Sequence, residues 1–228
     1  MDFASKNNLE RTYRFLFIMK IFHFHTGPFS VNTYFLVNEE RGEGVVVDPG
    51  GNQKRLELEA QRAGVRLVAQ LLTHGHFDHA GACAGLSRAG LPLYVHKADA
   101  DKLTGSGNLA ALMGYLFEPV RPDFLLEEGE IELAGLPLRV LHTPGHTEGG
   151  VCFLSGDALL TGDTLFRRSV GRTDFPGGDP AALQRSVQKL FALPGDFRVF
   201  PGHEDFTTLE EERRENPFAE FSSKKAGR

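Results

Sequence analysis

The sequence predicts an α/β fold in which two β-sheets pack together and helices lie outside them. Strand-like segments occur in both halves of the chain, and each half finishes in helical segments. No linker-like stretch, repeat or low-complexity tract separates the halves. We therefore expect a single domain over residues 19–228. Residues 1–18 precede the first alternating pattern and are interpreted as an N-terminal extension of uncertain origin.

In the first half, apolar runs bounded by turn residues predict strands, and amphipathic runs predict helices. The strands are predicted at residues 31–37, 43–48, 65–72 and 92–96. A surface helix is predicted at residues 52–63, where Gly64 ends it, and a second helix at residues 80–90. Residues 104–123 are rich in glycine and proline, and they predict a partly helical excursion outside the core.

The second half begins again with strands. These are predicted at residues 130–134, 137–142, 150–155, 158–162 and 197–201. A helix is predicted at residues 181–191, between the last two strands, and a polar helix at residues 207–215.

Composition excludes several classes of protein. The 228 residues are 41% hydrophobic, which argues against disorder, and the formal net charge of -5 gives no basic surface for nucleic acid. The apolar run at residues 15–19 is too short to span a membrane and lacks the features of a signal peptide, so we expect a cytoplasmic protein without a membrane partner. Cys83 and Cys152 are expected to be buried rather than redox-active or paired.

A dense cluster of metal-ligand side chains directly follows the predicted strand at residues 65–72. The cluster reads Thr-His-Gly-His-Phe-Asp-His over residues 73–79. If the chain stays extended, His74 and His76 face the same way, and a turn after Phe77 brings Asp78 and His79 to a second point nearby. Imidazole and carboxylate ligands suit zinc, iron or manganese, and the lack of thiolates argues against a closed structural zinc site.

Three further ligand-type residues follow other predicted strands. His146, Asp163 and His203 each come after a glycine at a strand end, where rigid scaffolds commonly place chemistry. A single histidine or aspartate in such a loop would more often be structural. Together with the cluster, however, the three residues predict a metal site.

These motifs resemble those of the metallo-β-lactamase superfamily, in which T-H-x-H-x-D-H is followed by G-H-T, G-D and G-H in the same order. The resemblance covers roughly residues 19–217. It implies an αββα sandwich of two mixed sheets flanked by helices, with the site along one edge of the sheets.

The resemblance also implies a role for each ligand. His74, His76 and His146 would hold a first metal, Asp78, His79 and His203 a second, and Asp163 would bridge them. Two divalent cations are therefore expected, with zinc as the first choice and iron or manganese as alternatives. Asp78 and Asp163 are also the expected catalytic residues. Asp163 distinguishes the chain from the zinc β-lactamases whose corresponding ligand is cysteine.

Two segments carry the resemblance to a narrower group. Residues 166–179 and 208–218 resemble single-domain glyoxalase II-like hydrolases, which act on thioesters such as S-lactoylglutathione. A dinuclear thioester hydrolase with a small-molecule, glutathione-linked substrate is therefore the leading hypothesis, and water activated between the two cations would attack the carbonyl. The chain ends soon after His203, so we expect it to lack the C-terminal region that helps glyoxalase II bind glutathione.

Two alternatives remain open at this point. The same segments are similar to persulfide dioxygenases, which bind one iron through two histidines and the aspartate and would act here on glutathione persulfide. A metal-binding module without catalytic activity is the other.

Several other side chains have two interpretations each. Arg172 could bind substrate or could brace its loop through Asp174, and Tyr115 with Phe117 could cover the site or pack on the sandwich. His142 could support His146 or be structural. The remaining histidines, for which we expect structural roles, are His23, His25 and His96.

Overall fold

Two six-stranded β-sheets packed face to face form the centre of the protein in a computed structural model, which describes residues 19–219. Helices cover the outer faces of both sheets. The predicted αββα sandwich of two mixed sheets is confirmed. The expected N-terminal extension, residues 1–18, lies outside the described residues.

The first sheet contains six strands in chain order. They are β1 (Met19–Thr26), β2 (Val31–Asn38), β3 (Glu43–Val47), β4 (Arg66–Leu71), β5 (Leu93–His96) and β6 (Phe124–Leu126). β1, β2 and β3 pair antiparallel, whereas β3 to β6 pair parallel. Parallel pairing requires crossovers, so the chain leaves the sheet between these strands and returns to it.

The second sheet has the order β14-β13-β10-β9-β8-β7. Its strands are β7 (Gly129–Leu133), β8 (Leu136–His142), β9 (Val151–Ser155), β10 (Ala158–Gly162), β13 (Arg198–Pro201) and β14 (Thr207–Thr208). Between β10 and β13 lies a small hairpin made of β11 (Leu165–Phe166) and β12 (Ser169–Val170). β10 pairs parallel with β13, and the other pairs are antiparallel.

Helices and short 3-10 turns connect the strands. The helices are α1 (Gln53–Ala63), α2 (Phe77–Ala80), α3 (Cys83–Arg88), α4 (Pro180–Phe191) and α5 (Leu209–Glu215). The 3-10 turns cover Lys97–Leu103 and Ser106–Asn108. α1 ends at Gly64, whose φ of 67° suits glycine, and Asp179 caps the first backbone amides of α4.

Alternation along each strand divides its side chains between two apolar layers. Leu36 and Val45 of the first sheet meet Leu138 and Phe153 of the second in the central layer, where all four are fully buried. The alternate side chains of β2 and β3 face outward onto α1. On the opposite outer face, α4 packs its own apolar residues against β8, β10 and β13.

Two predicted helices differ from the structure. The helix predicted over residues 80–90 is wrong as a single element, because the chain breaks at Gly81 and Ala82 between α2 and α3. A Cβ on Gly81 would lie 2.4 Å from the carbonyl oxygen of Gly50, and the amide of Ala82 donates to Pro49 (2.8 Å). The helix predicted at 207–215 begins as strand β14 and becomes helical only at Leu209.

Both cysteines are buried and unpaired, which confirms the prediction made for them. Burial raises the pKa of the Cys152 thiol to about 11, so it is not a reactive thiolate near neutral pH. No helix within residues 19–219 is long and apolar enough to cross a membrane.

Candidate metal centre

The structure brings all of the predicted ligands together at one edge of the sandwich, in loops that follow strands. His74, His76, Asp78 and His79 come after β4, His146 after β8, Asp163 after β10 and His203 after β13. The two sheets therefore both contribute side chains to the same small volume.

The loop after β4 has the shape that the sequence predicts. The carbonyl oxygen of Thr73 accepts a hydrogen bond from the amide of Val151 (2.8 Å), which ties the loop to β9 of the other sheet. His76 keeps extended backbone dihedrals, and α2 begins immediately after it. Asp78 and His79 therefore lie in the first turn of α2 and point to a different place than His74 and His76.

Three histidines, which we call the first trio, form the more buried group: His74, His76 and His146. Nδ1 of His76 lies 3.1 Å from Nε2 of His74 and 2.9 Å from Nε2 of His146. The three residues are 2–6% exposed. Three imidazole nitrogens that converge on one point, away from water, form a ligand set for a transition metal or zinc.

The second trio consists of Asp78, His79 and His203. Oδ2 of Asp78 lies 3.9 Å from Nε2 of His79 and 3.5 Å from Nε2 of His203. The side chain of His203 is 25% exposed, whereas that of His79 is fully buried. This group carries a carboxylate and is partly open to solvent.

Asp163 lies between the two trios. Its Oδ1 is 3.4 Å from Nε2 of His79, and its Oδ2 is 3.5 Å from Nε2 of His146 and 3.7 Å from Nε2 of His203. One carboxylate thus faces ligand atoms of both groups, which is the position that the sequence predicts for a bridging residue.

Hydrogen bonds on the far side of the imidazole rings leave the inward nitrogens of three histidines free to bind a cation. Nδ1 of His79 donates to Asp48 (3.0 Å), and Nδ1 of His146 donates to the carbonyl oxygen of Arg172 (2.7 Å). The Thr73 hydroxyl donates to Asp48 (2.7 Å) and therefore accepts from Nδ1 of His74 (3.1 Å). When each ring is neutral, its Nε2 atom directs a lone pair at the site.

Buried polar atoms without hydrogen-bond partners indicate that these residues can bind a cation. Within the described residues, Nε2 of His79 and Oδ1 of Asp163 are buried and have no hydrogen-bond partner. Leaving such a group unpaired costs about 1–3 kcal/mol. A cation between the imidazole and the carboxylate would satisfy both atoms, so the residues fit the divalent metals that this fold family implies. Nε2 of His76 is also buried and unpaired.

The two trios differ in protonation. Burial lowers the pKa of His76 to about 3 and that of His74 well below its ordinary value, so both rings are neutral. Burial also disfavours the imidazolium form of His79, but the carboxylates of Asp163, Asp78 and Asp48 outweigh it and raise the pKa of His79 well above its ordinary value. For Asp163, burial opposes ionisation, yet the surrounding histidines hold its pKa well below the usual range.

Asp48 supports the candidate centre, although no motif in the sequence indicates this role. It follows β3, is 1% exposed and has a φ of 50°. Its Oδ1 accepts from the amide of Thr73 (2.8 Å), while Oδ2 accepts from the Thr73 hydroxyl and from His79. It therefore fixes the start of the ligand loop and the ring of His79. The available signal was an aspartate that ends an apolar strand just before Pro49.

Asp99 is a second supporting residue that no motif in the sequence indicates. It is fully buried in the 3-10 turn after β5. Its Oδ2 accepts from the amide of Gly75 (2.8 Å) and the hydroxyl of Thr147 (2.7 Å), and its Oδ1 accepts from the amide of Gly149 (2.8 Å). Asp99 therefore joins the loop that carries His74 and His76 to the loop that carries His146.

Gly202 leaves the space that the centre needs. A Cβ atom at this position would lie 2.4 Å from Oδ1 of Asp163 and 2.7 Å from Cε1 of His79. Any side chain here would displace one of these groups. The glycine that precedes His203 is thus required by close packing rather than by its backbone dihedrals.

A cavity of about 410 Å³ opens above the ligands. Its floor includes polar atoms of His76, Asp78, His146, Asp163 and His203. Its walls are mainly apolar and come from Phe29, Phe77, Leu109, Met113, Phe166, Val170 and Phe175. A concave, mostly apolar pocket with a few convergent polar groups is typical of a small-molecule site.

The two predicted substrate-binding residues lie beside this cavity. Arg172 lines it, and its guanidinium bonds to both carboxylate oxygens of Asp174 (2.6 Å each) and stacks on Phe175 (4.0 Å). The hydrogen bond from Arg172 lowers the pKa of Asp174 to about 2. Tyr115 stacks on Phe77 with ring centroids 5.2 Å apart.

The other histidines make contacts of a structural kind. Nε2 of His142 lies 2.9 Å from the carbonyl oxygen of Glu148, and its ring stacks on His96 at 4.2 Å. His23 bonds to Asn32 (2.8 Å), and His25 lies 3.3 Å from the carbonyl oxygen of Ser30. These contacts match the structural interpretation of all four.

Comparison with known families identifies the family to which the chain belongs. The sequence profile of the metallo-beta-lactamase superfamily matches residues 26–203, and this range is well over half of the chain. The chain belongs to the metallo-β-lactamase superfamily. A curated member, the hydroxyacylglutathione hydrolase GloC of Haemophilus influenzae, is 35% identical over 196 residues, which cover 82% of this chain and 92% of GloC.

Solved structures of superfamily members are also similar to this chain. The B3 metallo-beta-lactamase BLEG-1 has a TM-score of 0.83 and 35% identity, covering 88% of this chain and 99% of BLEG-1. TTHA1623, solved in a di-iron-bound form, has a TM-score of 0.78 and 41% identity, with 86% and 99% covered. ETHE1 from Myxococcus xanthus has a TM-score of 0.75 and 28% identity, with 89% and 85% covered. The chain is therefore similar in structure both to a protein named as a β-lactamase and to one named ETHE1.

Proposed function

We propose that the protein is a dinuclear metal-dependent hydrolase that cleaves small-molecule acyl thioesters, as glyoxalase II-like enzymes do. The observation that carries the proposal is the position of Asp163, whose carboxylate lies between the two trios at the floor of the cavity. The 35% sequence identity to GloC, a protein named as a hydroxyacylglutathione hydrolase, supports acyl thioesters as the substrate class. S-Lactoylglutathione is the glutathione-linked candidate.

The first trio would hold one divalent cation and the second trio the other, with Asp163 shared between them. Zinc is the metal proposed first, with iron or manganese as alternatives, because imidazole and carboxylate ligands serve all three. Bound there, divalent cations supply Lewis acidity, which polarises a carbonyl group and lowers the pKa of a water molecule.

The side chains at the cavity floor would position the reacting groups. In thioester hydrolysis a C–O bond forms at the carbonyl carbon and the C–S bond breaks, giving a carboxylic acid and a thiol. Asp78 lines the cavity and is 16% exposed, so its carboxylate can accept a hydrogen bond from the attacking water and orient it. The apolar walls limit access of other water molecules to the site.

The test combines metal analysis with activity. Full-length protein purified without added metal is analysed for metal content and then assayed, as isolated and after loading with zinc, iron or manganese. We expect two metal ions per chain and turnover of S-lactoylglutathione or of another lactoyl thioester. Fully loaded protein that hydrolyses no thioester would contradict the proposal.

A persulfide dioxygenase is the second candidate. Asp163 also forms a group with His74 and His79 in which the ligand atoms lie within 4.8 Å of one another, and this group offers two histidines and one carboxylate to a single iron. TTHA1623, which is 41% identical, has been solved in a di-iron-bound form, which supports iron as a candidate metal but with two ions rather than one. One iron per chain, together with oxygen consumption on glutathione persulfide, would favour this candidate over the hydrolase.

A further inference from the structure

Two exposed aromatic side chains, Phe29 and Tyr115, lie at the rim of the cavity and pack on Phe77. Phe29, Phe77 and Tyr115, which we call the aromatic rim, contact one another with ring centroids 5.2–5.7 Å apart. Phe29 is 43% exposed and Tyr115 is 41% exposed. Met113 beside them lines the cavity and is 38% exposed. A contiguous exposed apolar surface that borders a polar site is typical of a ligand-binding surface.

The charges around the cavity do not suit glutathione, which carries two carboxylates and one ammonium group. Among the described residues that line the cavity, Arg172 is the one with a permanent positive charge. Its guanidinium is already bonded to both oxygens of Asp174 and stacked on Phe175. Glu204 also lines the cavity and would repel a carboxylate. Recognition of a carboxylate normally uses a free guanidinium or ammonium group.

We propose that the substrate is an acyl thioester whose thiol half is apolar, and that the aromatic rim binds this half. The inference rests on the proposed function, and it replaces the glutathione-linked substrate with a different class. The thioester carbonyl must reach the floor beside Asp78 and Asp163, so the larger part of the molecule extends towards the rim. Phe29 and Tyr115 are then specificity-determining residues. Their rings would bury the apolar thiol half and exclude water from it.

Two thioesters with the same lactoyl group provide the test. S-Lactoylglutathione is compared with the lactoyl thioester of benzyl mercaptan, because the two leaving thiols have similar acidity but differ in charge. For the metal-loaded full chain we expect kcat/KM to be about tenfold or more higher for the benzyl thioester, as burial of one ring would give. Equal values, or a preference for S-lactoylglutathione, would overturn the inference while leaving thioester hydrolysis intact.

Substitutions in the aromatic rim test which side chains produce the preference for the benzyl thioester. Phe29→Ala and Tyr115→Ala should each lower kcat/KM for the benzyl thioester about five- to tenfold through KM, and should change the value for S-lactoylglutathione less than about twofold. Phe124→Ala is the matched control, because Phe124 is an aromatic side chain 51% exposed that stacks on Tyr94 and belongs neither to the aromatic rim nor to the cavity lining. Equal losses on both substrates would contradict a role for the rim in specificity.

A substitution that frees Arg172 should improve the use of the charged substrate. Asp174→Asn removes the carboxylate that engages Arg172 and frees the guanidinium. We expect kcat/KM for S-lactoylglutathione to rise about threefold or more and the value for the benzyl thioester to stay the same. No gain on S-lactoylglutathione would show that the pairing with Asp174 does not restrict its binding.

A binding measurement separates failure of the inference from failure of the proposed function. If the loaded protein hydrolyses neither thioester, the proposed function fails, and calorimetric titration with benzyl methyl sulfide and with S-methylglutathione then tests the rim directly. Tighter binding of the benzyl compound that is lost in Tyr115→Ala then supports the aromatic rim as the surface that binds an apolar group. Binding of S-methylglutathione alone, or of neither compound, overturns it.

Discussion

The first and second trios lie at the same edge of the sandwich but reach their positions by different means. The first trio consists of three buried histidines without a carboxylate. The second contains Asp78, a histidine whose pKa is raised by surrounding carboxylates, and His203, which is partly exposed. Hydrogen bonds and burial therefore hold the side chains of the first trio in place, whereas attraction between carboxylates and His79 contributes more to the second trio.

The two groups should therefore respond to different substitutions. The first trio depends on the connections that Asp99 makes between two loops, and the second depends on Asp48 behind His79. Asp163 contacts both. Substitution of these aspartates can therefore weaken metal binding at the first trio, at the second trio or at both.

The largest effect is expected for Asp163→Ala, because this carboxylate faces both trios. Activity should fall by more than about a hundredfold, which is the upper end for supporting residues near a metal, and both metal affinities should weaken. Steady-state assays, metal analysis and circular dichroism measure these outcomes. A folded variant with unchanged activity would contradict the shared role of Asp163.

Next in size is His203→Ala, which should remove one metal ion per chain and leave the other in the first trio. Activity should fall about a hundredfold, because the second group loses a direct ligand. Metal analysis after dialysis against a weak chelator gives the stoichiometry. His142→Ala is the matched control, since this histidine contacts Glu148 and His96 instead, and it should keep both ions. If both variants kept two ions, His203 would not be a ligand.

A smaller and selective effect is expected for Asp48→Asn. The substitution preserves volume but removes the charged acceptor from His79 and Thr73, so affinity at the second trio should fall about ten- to a hundredfold. Competition with a chromophoric chelator should resolve this loss from a smaller one at the first trio, where Asp48 acts on His74 only through the hydroxyl of Thr73. Asp123→Asn is a suitable control, because Asp123 accepts the amide of Leu93 (2.8 Å) away from the centre.

The smallest effect is expected for Asp99→Asn, since the amide oxygen can still accept the two hydrogen bonds that Oδ2 accepts from Gly75 and Thr147. Affinity at the first trio should fall about tenfold, with the second trio unchanged. The same chelator competition measures it. A loss confined to the second trio would mean that the loop connection does not organise the first group.

Much of the centre was predictable, because its ligands carry local signals. Each follows a strand, and the cluster at residues 73–79 is dense enough to be recognised without the fold. The fold class was also predictable, since alternating strands occur in both halves. The ligand roles themselves remain predictions until metal is measured.

What the sequence did not reveal depends on distant contacts. Asp48 acts on Thr73 because β3 pairs parallel with β4, and Asp99 reaches Thr147 across 48 positions of sequence. Neither relation leaves a periodic pattern in the chain. The break at Gly81 and Ala82 has no local signal for a similar reason, since it coincides with contacts that these residues make with Gly50 and Pro49. Strands β6, β11 and β12 have only two or three residues each and give no periodic signal.

The division of the ligands between the two sheets has a thermodynamic consequence. His74 and His79 come from the first sheet, and His146, Asp163 and His203 come from the second. A metal centre built from both sets can form only when the sheets have docked, so its binding free energy adds to the free energy of unfolding. Metal supply would thereby influence the stability of the folded chain as well as its activity, and a loss of metal would favour separation of the two halves.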